Sequence, residues 1–541
     1  MKKIVALLLC TATILGCAAC GKSEETTKKK KKKTKKTTKI TETEETDEPS
    51  ETPSSESETE PTDTQAPDYS DFVITHDLSS EEIKEVTCAY RYGAIDANDM
   101  ENDWVYPKDI CCSYEMITAD GPLPVISSIL EETIYHEAEG VYRVYQKELE
   151  TFTGLQESGS ELYTHTYTVN HDILRADSQI FSFSYRSYVN TYDSDEGPTE
   201  TLVYSNYRVS DGTEIAFEDV ILDTDAFKEY ISQYYWDMGL DSSKVLLKID
   251  EESFHSTITA FGLTYDGIII DGVKVPVYGR GDIFNMSYFG STPASYSLML
   301  EPNHWLMWDF NNDGQMDKLG VSVTKSGYNV DSLTITMYGE EYTFNASDFE
   351  EMDWMEDISE WADSYVMSVD GNYFLLLVLD SEGEDYMTYV FDINTDKPIY
   401  TDCIASAPYD CLDPYKFHMD HREDVMGTLF YSFDYALTEY GTFNALSTMG
   451  RISSGVYITT IDMMGHLYDV TNGIKGDEFE IDGGTPVEII GYDVGSGDLI
   501  LRLHSKFENL DFIDVVVPTD KSSNVCGMQN SKAFLGLVFA D

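Results

Sequence analysis

The residues with the clearest chemical potential form one short run, Trp308-Asp309-Phe310-Asn311-Asn312-Asp313-Gly314-Gln315-Met316-Asp317. Asp309, Asn311 and Asp313 stand at loop positions one, three and five. Gly314 permits a sharp turn at six, Gln315 can offer its carbonyl at seven, and Asp317 falls at nine. A hard cation such as Ca²⁺ takes about six to eight oxygen ligands, and this spacing folds several around one point. Position twelve is Gly320, so the bidentate carboxylate that closes many calcium loops is missing. The expected ligand set is Asp309, Asn311, Asp313, Gln315 and Asp317, holding a structural rather than catalytic ion. The alternative is a polar Asp-Gly hairpin with no ion.

Other candidates carry less chemistry. Asp392-Ile393-Asn394-Thr395-Asp396 repeats the first three ligand positions, but Lys397 replaces the glycine and adds positive charge, so a plain turn is expected. His418-Met419-Asp420-His421 places two imidazoles where one helix face would bring them together, yet no third metal ligand is evident. Solvated histidines are the better reading. Arg280-Gly281-Asp282 matches an adhesion tripeptide too short to be informative. There is no Gly-x-Ser-x-Gly, His-Glu-x-x-His, Walker loop or dinucleotide fingerprint, and no catalytic residue is assigned.

The elements that must position these residues fall into two globular regions. In the first, 68–300, apolar residues from Val125 to Leu149 recur at helical spacing over Leu123–Thr151, with a break or kink expected at Gly140. Alternation predicts strands over Leu162–Val169, Ile180–Tyr188 and Leu202–Val209. A tight turn at Asp211-Gly212 leads to Glu214–Phe217, and an amphipathic helix follows over Asp225–Tyr235. Helices beside an antiparallel sheet make an α+β domain. The second region, 301–541, reads as all-β. Strands are expected at Trp305–Phe310, Leu319–Thr324, Ser364–Val369, Tyr373–Leu379, Met387–Ile393, Thr428–Phe433, Val456–Ile461, Val487–Tyr492, Leu499–Leu503 and Phe512–Val517, with Leu535–Phe539 closing the array. An irregular small β-propeller is the first architecture to consider and stacked sheets the second. No repeat period marks blades.

Composition bounds the partners. The chain has 541 residues, 42% of them hydrophobic, and 38 tyrosines. Its net charge is −62. Residues 1–66 hold 12 Lys and 12 Asp/Glu, which leaves 36 − 12 = 24 basic and 98 − 12 = 86 acidic side chains beyond them. Such a body repels nucleic acid and anionic polymers and favours cationic partners or divalent ions. Cys403 and Cys411 could close a short loop, while adjacent Cys111 and Cys112 cannot easily bridge each other.

The amino terminus decides the compartment. Lys2 and Lys3 precede an apolar run from Ile4 to Leu15, about the length of a secretory core and too short to span a bilayer comfortably. Ile14-Leu15-Gly16-Cys17 follows and resembles the lipobox of bacterial lipoproteins. The resemblance implies cleavage after residue 16 and a diacylglycerol on Cys17; Cys20 is the alternative acceptor. Residues 1–17 are thus a lipoprotein signal peptide, and the chain is expected on the outer face of the bacterial cytoplasmic membrane, held there by its lipid. Residues 18–67 form a disordered tether, Lys-rich through Lys39 and then rich in Thr, Glu, Ser and Pro. As a flexible coil it spans roughly 40 Å. Its lysines either lie on anionic headgroups or serve only as spacer.

Two further resemblances follow from quoted residues. Ser182-Phe183-Ser184-Tyr185, then Tyr207-Arg208-Val209-Ser210-Asp211-Gly212-Thr213-Glu214-Ile215, then Phe217-Glu218-Asp219-Val220 before a helix resembles an extracytoplasmic domain of polysaccharide deacetylases and lysozyme-sensing anti-sigma factors. It implies fold and cell-envelope association over about residues 85–300. The Gly-Gly-Ala-His turn frequent in that family is replaced by Tyr192-Asp193-Ser194-Asp195-Glu196-Gly197-Pro198, so no lysozyme-binding residue is carried over. The strand-flanked Asp309–Asp317 loop is similar to those of FG-GAP repeats. The reading that results is a surface-anchored binding or sensing lipoprotein with a protein or cell-wall glycan ligand. A glycan-modifying envelope enzyme and a structural or assembly lipoprotein are the alternatives.

Overall fold

A computed structural model describes residues 73–74, 83–95, 107–119, 124–191, 197–237, 239–250, 261–289, 291–300, 304–311, 313, 315–326, 329–345, 348–349, 358–361, 364–381, 386–423, 426–452, 455–504, 512–521 and 524–537. The chain is mostly β with few helices. Cys17 and the tether lie outside the described residues. Among the described residues no helix is long and apolar enough to cross a membrane.

The first sheet takes its strands in chain order: Ile83–Ala94, Lys108–Ala119, His165–Ala176, Ile180–Thr191 and Thr199–Arg208. Only Lys108–Ala119 and His165–Ala176 run parallel, with Ile110 opposite His165. A parallel pair needs a crossover, and the helix Pro124–Ser158 supplies it. Ile126, Leu130, Ile134, Val141, Tyr145 and Phe152 bury one stripe of that helix. The break expected at Gly140 does not occur. Nothing lies within 4 Å of a Cβ built there, and the helix runs through it. A mid-helix glycine costs about 1 kcal/mol relative to alanine, which the buried stripe offsets.

Glu214–Phe217, expected as a strand, makes one isolated bridge, Tyr207 to Glu214, before Phe217–Val220 turns into a short helix. The turn before it is as the sequence implies: Gly212 has φ of 69° and its N–H donates to the Arg208 carbonyl. The helix Thr224–Asp237 buries Phe227, Ile231 and Tyr235.

Buried charges fasten neighbouring parts. The Arg175 guanidinium donates from Nε to Asp177 Oδ2 at 2.8 Å, and both side chains are fully buried. Arg175 Nη1 also donates to the Tyr288 carbonyl at 2.6 Å, clamping the 261–289 segment to the sheet. Arg91 on the first sheet faces Glu488 at 3.6 Å on the strand Pro486–Asp493, with both side chains almost wholly buried.

Beyond residue 290 the main sheets are a four-stranded sheet (Trp305–Trp308, Asp317–Ser326, Asn329–Met337, Glu340–Asn345), a six-stranded sheet built on Tyr296–Leu300, Ile358–Trp361 and the four strands within Ser364–Ile404, and a twelve-stranded sheet from Ala407 onward. One apolar cluster runs from Ile180 to Ile393, uniting side chains from both expected regions. Strand orders are open among the described residues, with no closed ring of sheets. Cys403 and Cys411 form no disulfide, and Cys411 is buried in a core beside Phe417 and Met419, so they do not close a loop. Phe534–Leu535 pairs with Ile458–Thr459 as a two-residue strand; of the rest of the expected closing strand, Gly536 (φ 97°) and Leu537 are not extended into it, and Val538 and Phe539 lie outside the described residues.

Candidate functional site

The Asp309–Asp317 run is an antiparallel hairpin loop, closed by Trp308 opposite Asp317. The strands expected on either side are present as Trp305–Trp308 and Asp317–Ser326. Gly320 stands opposite Trp305, and a Cβ there would lie 2.3 Å from the Trp305 ring. The position where a twelfth-residue carboxylate would sit is therefore taken by an indole, over which Lys318 Nζ lies at 3.7 Å.

Inside the loop the acidic side chains organise the backbone. Asp309 Oδ1 and Asn311 Oδ1 both accept from the Asp313 amide, at 3.0 and 2.9 Å. Asp313 Oδ1 accepts from the Gln315 amide at 2.8 Å, and Asp317 Oδ2 from the Phe310 amide at 3.0 Å. Gln315 is exposed. Partial burial, and after it the charges of Asp313 and Asp309, push the Asp317 carboxyl up to about 6, against the Phe310 hydrogen bond. Among the described residues neither Asp313 nor Asp317 has an ion-pair partner. The donor set is all oxygen, which suits a hard cation. Among the described residues, however, no group of three or more His, Cys, Asp or Glu side chains is arranged to hold a metal. The carboxylates are turned to backbone amides instead. Asn312 and Gly314 lie outside the described residues.

The fold adds residues that sequence reading missed. Tyr338 (φ 53°) and Gly339 (φ 78°) form the tight turn beside this loop. Burial, and then the charges of Asp317, Asp396 and Asp309, push the Tyr338 phenol up to about 12. Asp396 belongs to the second Asp-x-Asn-x-Asp run, so the two runs flank one turn. Tyr373 joins them. Its backbone N–H donates to Asn394 Oδ1 at 2.6 Å and its carbonyl accepts from Asn394 Nδ2 at 3.1 Å. Its hydroxyl accepts from Trp308 Nε1 at 3.3 Å, and its ring meets Phe310 edge-on. The repeated Asp-x-Asn spacing was the available signal; its lysine at position six hid it.

The His418–His421 segment is a strand, Lys416–Glu423, and not a helix. Residues three apart then face opposite sides. His421 is sandwiched with Phe433 and Tyr435, while His418 bonds Asp434 on the other face. The two imidazoles cannot share a metal. Arg280 and Asp282 close on each other at 3.1 Å, with the guanidinium 4.5 Å from the Tyr230 ring centre.

No protein-family model and no curated protein matches the sequence. Among solved structures, the chain is similar to a DUF3298-family protein from Bacteroides fragilis, at 14% identity and a TM-score of 0.25, over 39% of this chain and 95% of that one. A second DUF3298-family protein, from Pseudomonas aeruginosa, aligns at 9% identity and a TM-score of 0.24, over 38% of this chain and 97% of its own. A rhamnogalacturonan lyase from Bacillus licheniformis aligns at 9% identity and a TM-score of 0.13, over 70% of this chain and 78% of that one.

Proposed function

We propose that this chain is a lipid-anchored, extracytoplasmic binding or sensing lipoprotein of the bacterial cell envelope, whose acidic hairpin is organised by Ca²⁺. Cys17 carries the lipid, and residues 18–67 hold the body away from the membrane. Asp309, Asn311, Asp313, Gln315 and Asp317 hold the ion. In this reading the 301–541 strands form an irregular, propeller-like array that presents a face to a protein or glycan, with the hairpin as an FG-GAP-like cap.

The observation that carries the calcium reading is the crowding of carboxylates around Asp317. Partial burial of Asp317, and after it the charges of Asp313 and Asp309, make its ionised form costly unless an outside cation balances it. Bound calcium would supply that balance and stiffen the turn that Asp313 and Asn311 already shape.

The test uses the full-length chain in detergent. Labelled fatty acid fed to the cells that express the chain is expected to appear on the wild type and not on Cys17→Ser. Terbium, a luminescent calcium substitute sensitised by the nearby Trp308, is expected to bind and to be displaced by calcium. Asp313→Asn should weaken it at least tenfold. Capture on wall fragments and secreted proteins, lysozyme included, then reads ligand binding with and without calcium. Labelling that persists in Cys17→Ser overturns the anchor, and terbium binding indifferent to Asp313→Asn overturns the ion site.

A further inference from the structure

The twelve-stranded sheet carries a polar cluster that neither the anchor nor the acidic loop uses. Along Lys416–Glu423, Phe417 and Met419 are buried in the core, and Lys416, His418, Asp420 and Arg422 occupy the other face. Register places His418 between Tyr409 and Asp434, with Arg451 opposite Ser432 one step along. His418 Nδ1 lies 2.9 Å from Asp434 Oδ1. The Arg451 guanidinium meets the same carboxylate oxygen, and its Nη2 is 3.3 Å from His418 Nδ1. The Tyr409 ring lies 5.3 Å from the imidazole, and its hydroxyl bonds Ser432 Oγ.

Three features set this cluster apart from an ordinary surface ion pair. The first is charge. Lys416, Arg422 and Arg451 outnumber Asp420 and Asp434 here, whereas beyond residue 66 acids exceed bases 86 to 24. The second is orientation. With Nδ1 held by Asp434, the imidazole is fixed in direction. Among the described residues its Nε2 has no hydrogen-bond partner and is not buried. The third is a half-exposed guanidinium. Arg451 is anchored through Nη2, and among the described residues its other N–H groups make no hydrogen bond. Burial alone would raise the Asp434 carboxyl. The His418 hydrogen bond and the Arg451, His418 and Lys416 charges hold it below the usual range instead, so it remains the anion that positions both donors.

A planar guanidinium edge matches the two oxygens of a carboxylate, and the imidazole, with Nδ1–H directed at Asp434, leaves Nε2 beside it as an aimed acceptor for a hydroxyl. The Tyr409 ring offers an apolar wall next to it, and Asp420 stands on the same face. We propose that Tyr409, His418 and Arg451 bind a saccharide bearing a single carboxylate. Arg451 takes the carboxylate, His418 Nε2 accepts from a sugar hydroxyl, and the C–H face of the sugar meets Tyr409. A polyanionic chain is excluded by the long-range field of a body at −62. One carboxylate is not, because salt screens that field within about 8 Å. The proposal deepens the reading of the chain as a binding protein by naming a ligand class, and it does not depend on calcium.

Equilibrium dialysis of the full-length chain in detergent against radiolabelled glucuronic acid tests it. Saturable binding is expected, with glucose failing to compete and acetate competing at least tenfold less well. Arg451→Ala should weaken binding at least tenfold. Arg451→Lys, which keeps charge and loses the fork, should weaken it several-fold. Tyr409→Ala should weaken glucuronate several-fold and leave acetate unchanged. Arg186→Ala, at a distant surface pair, should change nothing. Absence of saturable binding overturns the site, as does full binding by Arg451→Ala. Equal competition by acetate or by glucose overturns the ligand class. Binding should survive calcium removal and Asp313→Asn; loss there would move the site to the acidic loop and overturn this placement. A failed fatty-acid or terbium experiment bears only on the anchor and ion, and leaves this result standing.

Discussion

Asp177 and Asp317 each lie close in sequence to members of one apolar cluster, Ile180 and Leu319, yet carry charge in opposite ways. Asp177 is wholly buried, with Arg175 at 2.8 Å on one oxygen and the Gln179 and Ile180 amides on the other. Its counter-ion is built into the fold. Asp317 is half-exposed, faces Asp313 and Asp309, and among the described residues has no cation beside it. The nearest lysine in sequence, Lys318, lies over Trp305 instead. A charge that must stay buried needs a partner supplied by the chain, while a charge at the surface can leave its partner to the solvent or to an ion. The first is a device for stability and the second an opening for regulation.

The largest effect should come from breaking the internal pair. Arg175→Met leaves the Asp177 carboxylate buried and unpaired, and about 3–5 kcal/mol of stability should be lost, read as a lower urea midpoint. Arg175→Met with Asp177→Asn should recover part of it, since Asn keeps the oxygen that accepts from Gln179 and Ile180. Equal loss in the single and double variants would mean that the Tyr288 contact, rather than charge pairing, sets the cost.

His421 gives the next test, as a half-buried titratable group with no counter-ion among the described residues. Burial pushes its imidazole from 6.5 down to about 4, and its Nε2 makes no hydrogen bond among the described residues. The unfolded ring takes up a proton near 6.5 and the folded one only near 4, so acid favours the unfolded chain. Stability present above pH 6.5 should fall by roughly 2–3 kcal/mol on the way to pH 4. His421→Phe should flatten that slope, and an unchanged slope would sink the assignment.

Asp317 should act with the reverse sign. Its folded carboxyl titrates near 6 against an ordinary 3.8, so the folded chain binds the extra proton. The contribution is fully present below 3.8 and is lost as pH rises through 6. Solvent screening makes it smaller than the His421 effect. In a His421→Phe background, thermal stability without calcium should therefore decline gently from pH 4 to pH 7. Added calcium at pH 7 should restore it, and Asp317→Asn should remove both responses. Stability that rises with pH in that background would contradict the crowded-carboxylate account.

Much of this arrangement was legible locally. The helix near 123–151 and the strand Ser364–Val369 follow from apolar spacing, because burial acts on the same period that the sequence displays. Ile83–Ala94 and Lys108–Ala119 were not legible. Arg91 sits buried in a strand core, and adjacent Cys111 and Cys112 are both buried, so alternation fails where the sheet is covered on both sides. His418 and His421 were misread although Lys416 to Arg422 alternates polar with apolar or aromatic residues, a strand period masked by the attraction of a histidine pair. That Asp396 and Asp317 both act on the Tyr338 phenol depends on contacts far apart in sequence, such as Tyr373 with Asn394, that no local pattern encodes.

The smallest expected effect marks the other limit of the comparison. Arg186 and Glu200 face each other at 3.2 Å on neighbouring strands of the first sheet, with side chains 50% and 52% exposed. Their geometry is nearly as close as that of Arg175 and Asp177, so distance alone would rank the two pairs together. Water solvates both ions before and after folding, and fixing two long side chains costs entropy that offsets the attraction. Arg186→Ala should therefore change stability by no more than about 0.5 kcal/mol, and by still less at high salt. Measured beside Arg175→Met under the same conditions, it separates burial from proximity. A loss approaching that of the buried pair would mean that separation, not desolvation, governs charge in this fold, and the contrast drawn between Asp177 and Asp317 would fall with it.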